Sequence, residues 1–242
     1  MTRLEGLVRL EALLLEHARA RLEEENPQYV QAFNEALPSG LEYALDAARP
    51  HLGSPPSWYE LLTRLFEVEL ALDHVTQTLL LMEGHRDTSP REDGRLLDYH
   101  VNYWVIQSSA LLEKADSLVS KVYRALVRPE RPAFEGDMSE ARSPLAGLRA
   151  QLSGLRDPLV HGLTEGSSRG LEEERMWEAG VLLNATMDEI LTGKFENLPA
   201  FRDSWYAVHV QLTAMLIAAV EASLKKTAGD VSSLGDGQHT QS

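Results

Sequence analysis

The stretch HVNYWVIQSSALLEKADSLVSKVYRAL, residues 100–126, carries apolar side chains at alternating three- and four-residue spacing. That spacing places them along one face of an α-helix, whereas a half-buried β-strand alternates every second residue. The pattern predicts a helix from about Arg95 to Val127. Its inward face is predicted to consist of Val101, Trp104, Val105, Leu111, Leu112, Leu118, Val119, Val122 and Leu126.

The same periodicity extends through most of the chain, and strand alternation is nearly absent. Further helices are predicted over Thr2–Glu24, from Asn26-Pro27 to about Pro50 with an interruption at Pro38-Ser39-Gly40, from the Ser57–Glu60 capping box to Met82, from Ser143-Pro144 to Leu155, over Leu171–Leu191, and over Leu198–Lys226. Polar or proline-rich loops are predicted over Gly84–Gly94 and residues 128–143. The predicted fold is an all-α antiparallel helical bundle with an extra N-terminal helical pair.

Three regions are expected from composition and loop signals. Residues 1–56 form an N-terminal helical layer packed on the bundle, and the segment HLGSPPS marks its boundary. Residues 57–227 form the bundle itself. Residues 228–242 contain almost no apolar side chains and are predicted to be a disordered tail.

Composition restricts the functional classes. The 242 residues include no cysteine, which excludes disulfides and cysteine-rich zinc sites and predicts a cytoplasmic protein. The N-terminus, with Glu5 and Glu11 inside its apolar pattern, does not resemble a signal or transit peptide. The longest apolar run, Ala214–Val220, is too short to cross a bilayer, so no membrane partner is expected.

A net charge of −14 argues against broad nonspecific binding to nucleic acid, though it leaves room for a small basic cleft.

Motifs for metal and cofactor chemistry are missing from the sequence. None of the eight histidines follows a glutamate by three residues, and neither HExxH nor a histidine pair four residues apart occurs. The phosphate-binding P-loop, GxGxxG and GxSxG are also absent. The predicted metal and cofactor content is therefore none. The histidines on long helices are interpreted as surface or interhelical hydrogen-bonding groups rather than catalysts: His74, His100 and His209.

One segment combines charged residues with a helix breaker: LRDPLVHG, residues 155–162. Because proline lacks an N–H and disfavours the α conformation at the residue before it, a helix is expected to end near Arg156. Asp157 would then cap a new helix at whose start an anion can bind. Residues five apart on one straight helix diverge by roughly 140°, so a break would be needed to bring Arg156 and His161 into one cleft. The alternative is that the segment only caps a helix.

The spacing Arg-Asp-x-x-x-His in RDPLVH resembles the signature of HEPN domains, the "higher eukaryotes and prokaryotes nucleotide-binding" superfamily. The preceding long helix and the variable loop before the motif are also similar to that family, over roughly Trp58–Lys226. The residues before Ser57 carry no such resemblance.

The resemblance implies a metal-independent endoribonuclease that works as a homodimer, with the two motifs facing each other and RNA as the substrate. In that reading His161 is the general acid or base, Arg156 stabilises the negative charge of the transition state, and Asp157 orients the motif. Glu113 and Lys114 are weaker candidates for auxiliary groups, since a solvated ion pair explains them equally well. Such a protein would act as a toxin or phage-defence effector, with an antitoxin or other protein as a further partner.

Two alternatives use the same residues differently. A non-catalytic HEPN-like module would bind RNA, a nucleotide or a protein, and the acidic charge of the chain favours this reading. A helical interaction protein with no active site would use the Asp157-Pro158 junction only to connect helices.

Overall fold

The computed structural model describes residues 3–51, 57–84, 90–130, 134–165 and 198–237. Within these ranges the description leaves out the side chains of residues 41–42, 57, 90–101, 130, 153–165, 198–202, 204–205 and 235–237. Within these ranges the elements are helices and helical turns, and no strand occurs. The protein is all-α, as its hydrophobic periodicity predicts.

The helices in chain order are α1 (Glu5–Glu25), α2 (Pro27–Ala36), α3 (Leu41–Ala48), α4 (Ser57–Gly84), α5 (Pro90–Val122), α6 (Arg128–Glu130), α7 (Phe134–Glu165) and α8 (Leu198–Gly237). A π turn, Tyr123–Val127, joins α5 to α6. Pro27 occupies the first turn of α2, where its missing N–H has no intrahelical partner to lose. The predicted interruption before α3 occurs at Gly40, whose positive φ of 118° reverses the chain after a short 3₁₀ turn.

Three segments predicted to be loop or tail are helical. The loop predicted over Gly84–Gly94 is already helical from Pro90, and the loop predicted over residues 128–143 contains α6 and the start of α7. The predicted disordered tail is helical as far as Gly237. Buried contacts explain the last two differences, because Phe134, Ala141 and Ala228 are almost inaccessible to solvent and outweigh the local polar composition. The helix predicted over Leu171–Leu191 lies outside the described residues.

The inward faces of α4 and α5 agree with their predicted patterns. On α4 the predicted residues are buried except Leu79, which is half-buried, and on α5 every predicted residue whose side chain is described is buried. Glu60, predicted to cap α4, contacts Lys121, with Oε1 2.8 Å from Nζ. This contact lowers the pKa of Glu60 below its ordinary value.

The chain divides into two compact units. The first comprises Met1–Glu69, Lys114–Pro144 and Val220–Ser242 and therefore includes α1, α2 and α3. Its core is built from leucine, valine and alanine on α1, α4, α5 and α8. The second comprises Leu70–Glu113 and Leu145–Ala219, with Trp104, Leu111 and Leu216 among its buried side chains.

Within the first unit, α1 meets α8 at a close backbone contact. A Cβ on Gly6 would lie 2.8 Å from the Lys225 nitrogen and 3.1 Å from the Glu221 carbonyl oxygen. The Gly6 N–H donates to the Glu221 carboxylate at 3.0 Å, and Glu5 Oε2 lies 2.6 Å from Lys225 Nζ. Because the first N–H groups of a helix have no intrahelical acceptor, the Glu221 carboxylate serves as the cap of α1.

We expect Gly6→Ala to lower the free energy of unfolding by about 1–3 kcal/mol, because the new methyl group would overlap backbone atoms of α8. Urea denaturation followed by circular dichroism measures the change. The matched control is Gly147→Ala in α7, where a Cβ meets nothing within 4 Å. That control should be neutral or stabilising by up to about 1 kcal/mol, and equal losses in the two variants would contradict the prediction.

Candidate functional site

The segment LRDPLVHG lies inside α7, which is one continuous helix from Phe134 to Glu165. The helix does not end near Arg156, so the predicted break at Asp157-Pro158 is wrong. Pro144, predicted to begin a helix, also lies within α7. A proline inside a helix removes one backbone hydrogen bond and can bend the helix without ending it. The side chains of Arg156, Asp157 and His161 lie outside the described residues.

Because α7 is continuous, positions 156 and 161 do not point in the directions expected from a helix break. Positions 156 and 161 are separated by roughly 140° around the axis of a regular helix. The backbone therefore does not supply the convergence expected from a helix break. A site that uses both Arg156 and His161 needs a ligand that contacts two sides of α7, or a second copy of the chain that completes the site.

The auxiliary candidates Glu113 and Lys114 are neighbours on α5, and both are half-buried. Adjacent helical residues point about 100° apart, so their side chains leave the helix in different directions. Glu113 is the last α5 residue of the second unit and Lys114 the first of the first unit. Their role as auxiliary groups stays a prediction.

A buried polar cluster joins α5 to α8 within the second unit. Trp104 Nε1 donates to Thr213 Oγ1 at 2.9 Å, and the rings of Trp104 and His209 meet edge to face with centroids 4.9 Å apart. All three side chains are at least 95% buried. The cluster ties the two helices together through an aromatic contact and a satisfied hydrogen bond.

This cluster corrects the predicted orientation of α8. The sequence pattern predicts an inward face formed by Trp205, Val208, Leu212, Met215, Leu216 and Ala219. Leu216 is buried and Ala219 half-buried, whereas Val208, Leu212 and Met215 are 48%, 37% and 50% exposed, and the side chain of Trp205 lies outside the described residues. The buried face also carries His209, Thr213 and, further along, Val220, Ser223 and Leu224. Hydrophobic periodicity placed the face only partly correctly, because three of these buried residues, His209, Thr213 and Ser223, are polar. The result is an exposed apolar stripe on α8, formed by Val208, Leu212 and Met215.

A second polar network lies in the first unit, where α5 passes into the π turn. The Tyr123 hydroxyl donates to Asp230, and Lys226 Nζ lies 2.8 Å from the same carboxylate. Tyr123 is fully buried. Burial, followed by the hydrogen bond to Asp230, raises the pKa of Tyr123 well above its ordinary value, so the phenol remains a donor. The signal in the sequence was the spacing of Lys226 and Asp230, which is typical of a helix continuing past Lys226.

An open groove lined by apolar side chains crosses the first unit between α1, α2 and the start of α4. Its volume is about 530 Å³, and its lining includes Tyr29, Trp58, Tyr59 and Phe66. Tyr59 and Phe66 are more than half exposed, and the Trp58 Nε1 atom is buried without a hydrogen-bond partner. The groove contains no acid–base pair, so its chemistry is that of a binding surface.

Among the described residues, no group of three or more histidine, aspartate or glutamate side chains is arranged to hold a metal ion. One segment, Tyr206–Leu234 of α8, is long and apolar enough to cross a membrane by length and composition alone. Only 33% of its most apolar 18-residue stretch is buried inside the protein.

The comparisons with known proteins add no relative. No protein family, curated protein or solved structure matches the chain.

We expect Thr213→Val to destabilise the protein by about 1–3 kcal/mol, because it leaves the buried Trp104 N–H without its acceptor. Equilibrium unfolding in urea measures the loss. Thr63→Val is the control, since Thr63 is exposed and bonds only a carbonyl of its own helix, and it should change stability by less than about 0.5 kcal/mol. A loss in Thr213→Val no larger than in this control would show that the cluster contributes little.

Proposed function

We propose that this protein is a HEPN-like, metal-independent endoribonuclease that acts in the cytoplasm as a toxin or phage-defence effector. The observation that supports the proposal most is the Arg-Asp-x-x-x-His spacing at residues 156–161 in an all-α chain. An antitoxin or other inhibitory protein is a proposed partner.

The proposed chemistry is transesterification within the RNA strand. His161 removes the proton of a ribose 2′-OH as its oxygen attacks the adjacent phosphorus, or gives a proton to the departing 5′-oxygen. Imidazole titrates near neutral pH, which suits either role. Arg156 stabilises the charge that accumulates on the phosphorane oxygens, and Asp157 orients the motif. Glu113 and Lys114 are proposed as auxiliary groups.

A homodimer is part of the proposal. Because α7 continues through the motif, positions 156 and 161 lie on different sides of one helix. Two motifs facing each other would let His161 of one copy act beside Arg156 of the other. The exposed apolar stripe on α8 supports self-association, because three large apolar side chains at helical spacing are left in contact with water.

A specific observation also favours a second candidate, a HEPN-like module that binds RNA, a nucleotide or a protein without cleaving it. The net charge of −14 opposes the approach of a polyanion, and the continuous α7 does not bring Arg156 and His161 together within one chain. Binding without cleavage does not require Arg156 and His161 to meet at one reacting phosphate. Binding of a nucleotide or a protein also does not require long-range attraction of a polyanion.

Incubation of the purified protein with single-stranded RNA in EDTA tests the enzymatic proposal. We expect cleavage, and we expect His161→Ala and Arg156→Ala each to lower its rate by about 100-fold or more, because each removes a group that acts in the transition state. The readout is product formation on a denaturing gel under single-turnover conditions.

Matched controls separate chemistry from folding. Arg149→Ala lies on the same helix, and His74→Ala changes a half-buried histidine on α4; both should keep cleavage within about threefold of the wild type, as expected of residues outside the chemistry. Absence of cleavage in the wild-type protein, or equal activity in all four variants, would exclude the ribonuclease. RNA binding without cleavage that is lost in Arg156→Ala would establish the second candidate.

The dimer is tested separately by mass measurement in solution. We expect the wild-type protein to be dimeric and Leu212→Glu/Met215→Glu to be monomeric, because paired carboxylates cannot be buried at an apolar interface. The control is Leu80→Glu/Leu81→Glu, an exposed pair on α4, which should leave the mass unchanged. A monomeric wild-type protein, or equal masses for both double variants, would remove α8 from the proposed interface.

A further inference from the structure

A cleft of about 470 Å³ opens in the first unit beside the π turn, between α6 and the start of α7. It is lined by Arg124, Arg128, Phe134, Glu135 and Met138. Its volume lies within the range of small-ligand sites. These residues are distinct from the 156–161 segment and from the candidates Glu113 and Lys114.

Among the described residues, the two arginines of this cleft have no partner, although the protein is acidic. The chain has 37 acidic and 23 basic residues, and five other arginines of the same unit have a carboxylate oxygen within 3.2 Å: Arg3, Arg21, Arg49, Arg64 and Arg142. Among the described residues, neither Arg124 nor Arg128 has a hydrogen-bond or ion-pair partner. Both side chains are exposed at the cleft.

Their arrangement is unfavourable without a ligand. Arg124 and Arg128 are four residues apart, a spacing that places two positive charges about one turn apart on the same side of the helix. Like charges at this spacing destabilise a helix, and no described carboxylate is within ion-pair distance to offset the repulsion. An anion bound between the two guanidinium groups would convert the repulsion into attraction.

The π turn holds this arrangement in place. Tyr123, Leu126 and Val127 are buried, and the Tyr123 hydroxyl is fixed by Asp230. With these residues turned inward, Arg124 is left on the exposed side. Single π turns inside helices occur frequently at functional sites, where the extra residue changes the direction of a side chain.

We propose that this cleft binds the phosphate group of a nucleotide, either free or within a single strand of RNA. Guanidinium groups are planar and permanently charged and form paired hydrogen bonds to phosphate oxygens. Phe134 and Met138 provide apolar walls, and the exposed Glu135 carboxylate provides an acceptor for hydroxyl or amino groups of the same ligand. Inorganic phosphate can accept hydrogen bonds from the two arginines only, whereas the hydroxyl or amino groups of a nucleotide can also donate to the Glu135 carboxylate.

The proposal is independent of ribonuclease activity. The described residues that line the cleft, Arg124, Arg128, Phe134, Glu135 and Met138, belong to the first unit, whereas the motif lies within residues 145–219 assigned to the second. A protein without ribonuclease activity would still have the cleft, and substitutions in the cleft would leave residues 156–161 unchanged.

Titration calorimetry on the full chain in EDTA, with AMP, inorganic phosphate and a short single-stranded RNA as separate probes, tests the site. We expect AMP or the RNA to bind, and Arg124→Gln/Arg128→Gln to weaken that binding by about tenfold for each arginine removed. The double variant should fold at least as stably as the wild type, since it removes a repulsion, and urea denaturation checks this. Arg19→Gln/Arg21→Gln, an equal change of charge on α1, should leave binding unaltered.

The probes distinguish the ligand sources. Tighter binding of AMP than of RNA identifies a free nucleotide, and the reverse identifies a nucleic-acid strand. Glu135→Gln should lower the affinity for AMP or RNA several-fold relative to that for inorganic phosphate, because it removes the carboxylate acceptor that only the nucleotide uses, while the loss of its negative charge favours every anion. The proposal is overturned if neither AMP nor RNA binds, if the Arg124/Arg128 and Arg19/Arg21 variants bind equally, or if AMP binds no more tightly than phosphate and RNA does not bind.

Discussion

The fold depends on the ion pairs and hydrogen bonds that the charged residues of α8 form with neighbouring elements. This helix is apolar enough to resemble a membrane span, yet its C-terminal half carries Glu221, Lys225, Lys226 and Asp230. Each is paired within the first unit: Glu221 caps α1, Lys225 and Lys226 contact carboxylates of α1 and α7, and Asp230 accepts the Tyr123 hydroxyl. Sliding α8 by one turn would break the contacts of Glu221 with Gly6 and of Asp230 with Tyr123, and this is costly because the two carboxylates are only 20% and 15% exposed. The pairs of Lys225 with Glu5 and of Lys226 with Glu140 are more exposed and contribute less. The charges therefore specify the register that the apolar face alone leaves open.

The same register accounts for the π turn and the cleft beside it. Tyr123 is buried and bonded to Asp230 only where α5 presents the tyrosine to α8. The adjacent Arg124 consequently lies on the exposed side, one turn from Arg128. A network that stabilises the fold and a pair of unpaired arginines are thus two results of one local change in helix geometry. Removing the tyrosine–aspartate contact would affect both.

The sequence predicted the helices better than their ends and faces. The inward faces of α4 and α5 were predictable because nearly all their buried residues are apolar. The face of α8 was not, because His209 and Thr213 are buried through contacts with Trp104, which lies more than a hundred residues away in sequence. Pro144 and Pro158 were expected to mark helix boundaries from local rules, but both lie inside α7. The spacing of Arg156 and His161 could be recognised as a motif in the sequence. Their relative direction could not be predicted, because Pro158 indicated a helix end that does not occur.

The proposed recognition of RNA is constrained in the same direction by the continuity of α7 and by the acidity of the chain. A chain of net charge −14 does not attract a polyanion over long distances, and self-association doubles that charge. Recognition would then depend on short-range contacts from a few arginines rather than on electrostatic steering. Under the proposals above, Arg124 and Arg128 would provide such contacts in one place, and two facing copies of Arg156 in another. Added salt would weaken those contacts while also screening the long-range repulsion, so association should depend less on ionic strength than it does for a basic RNA-binding protein.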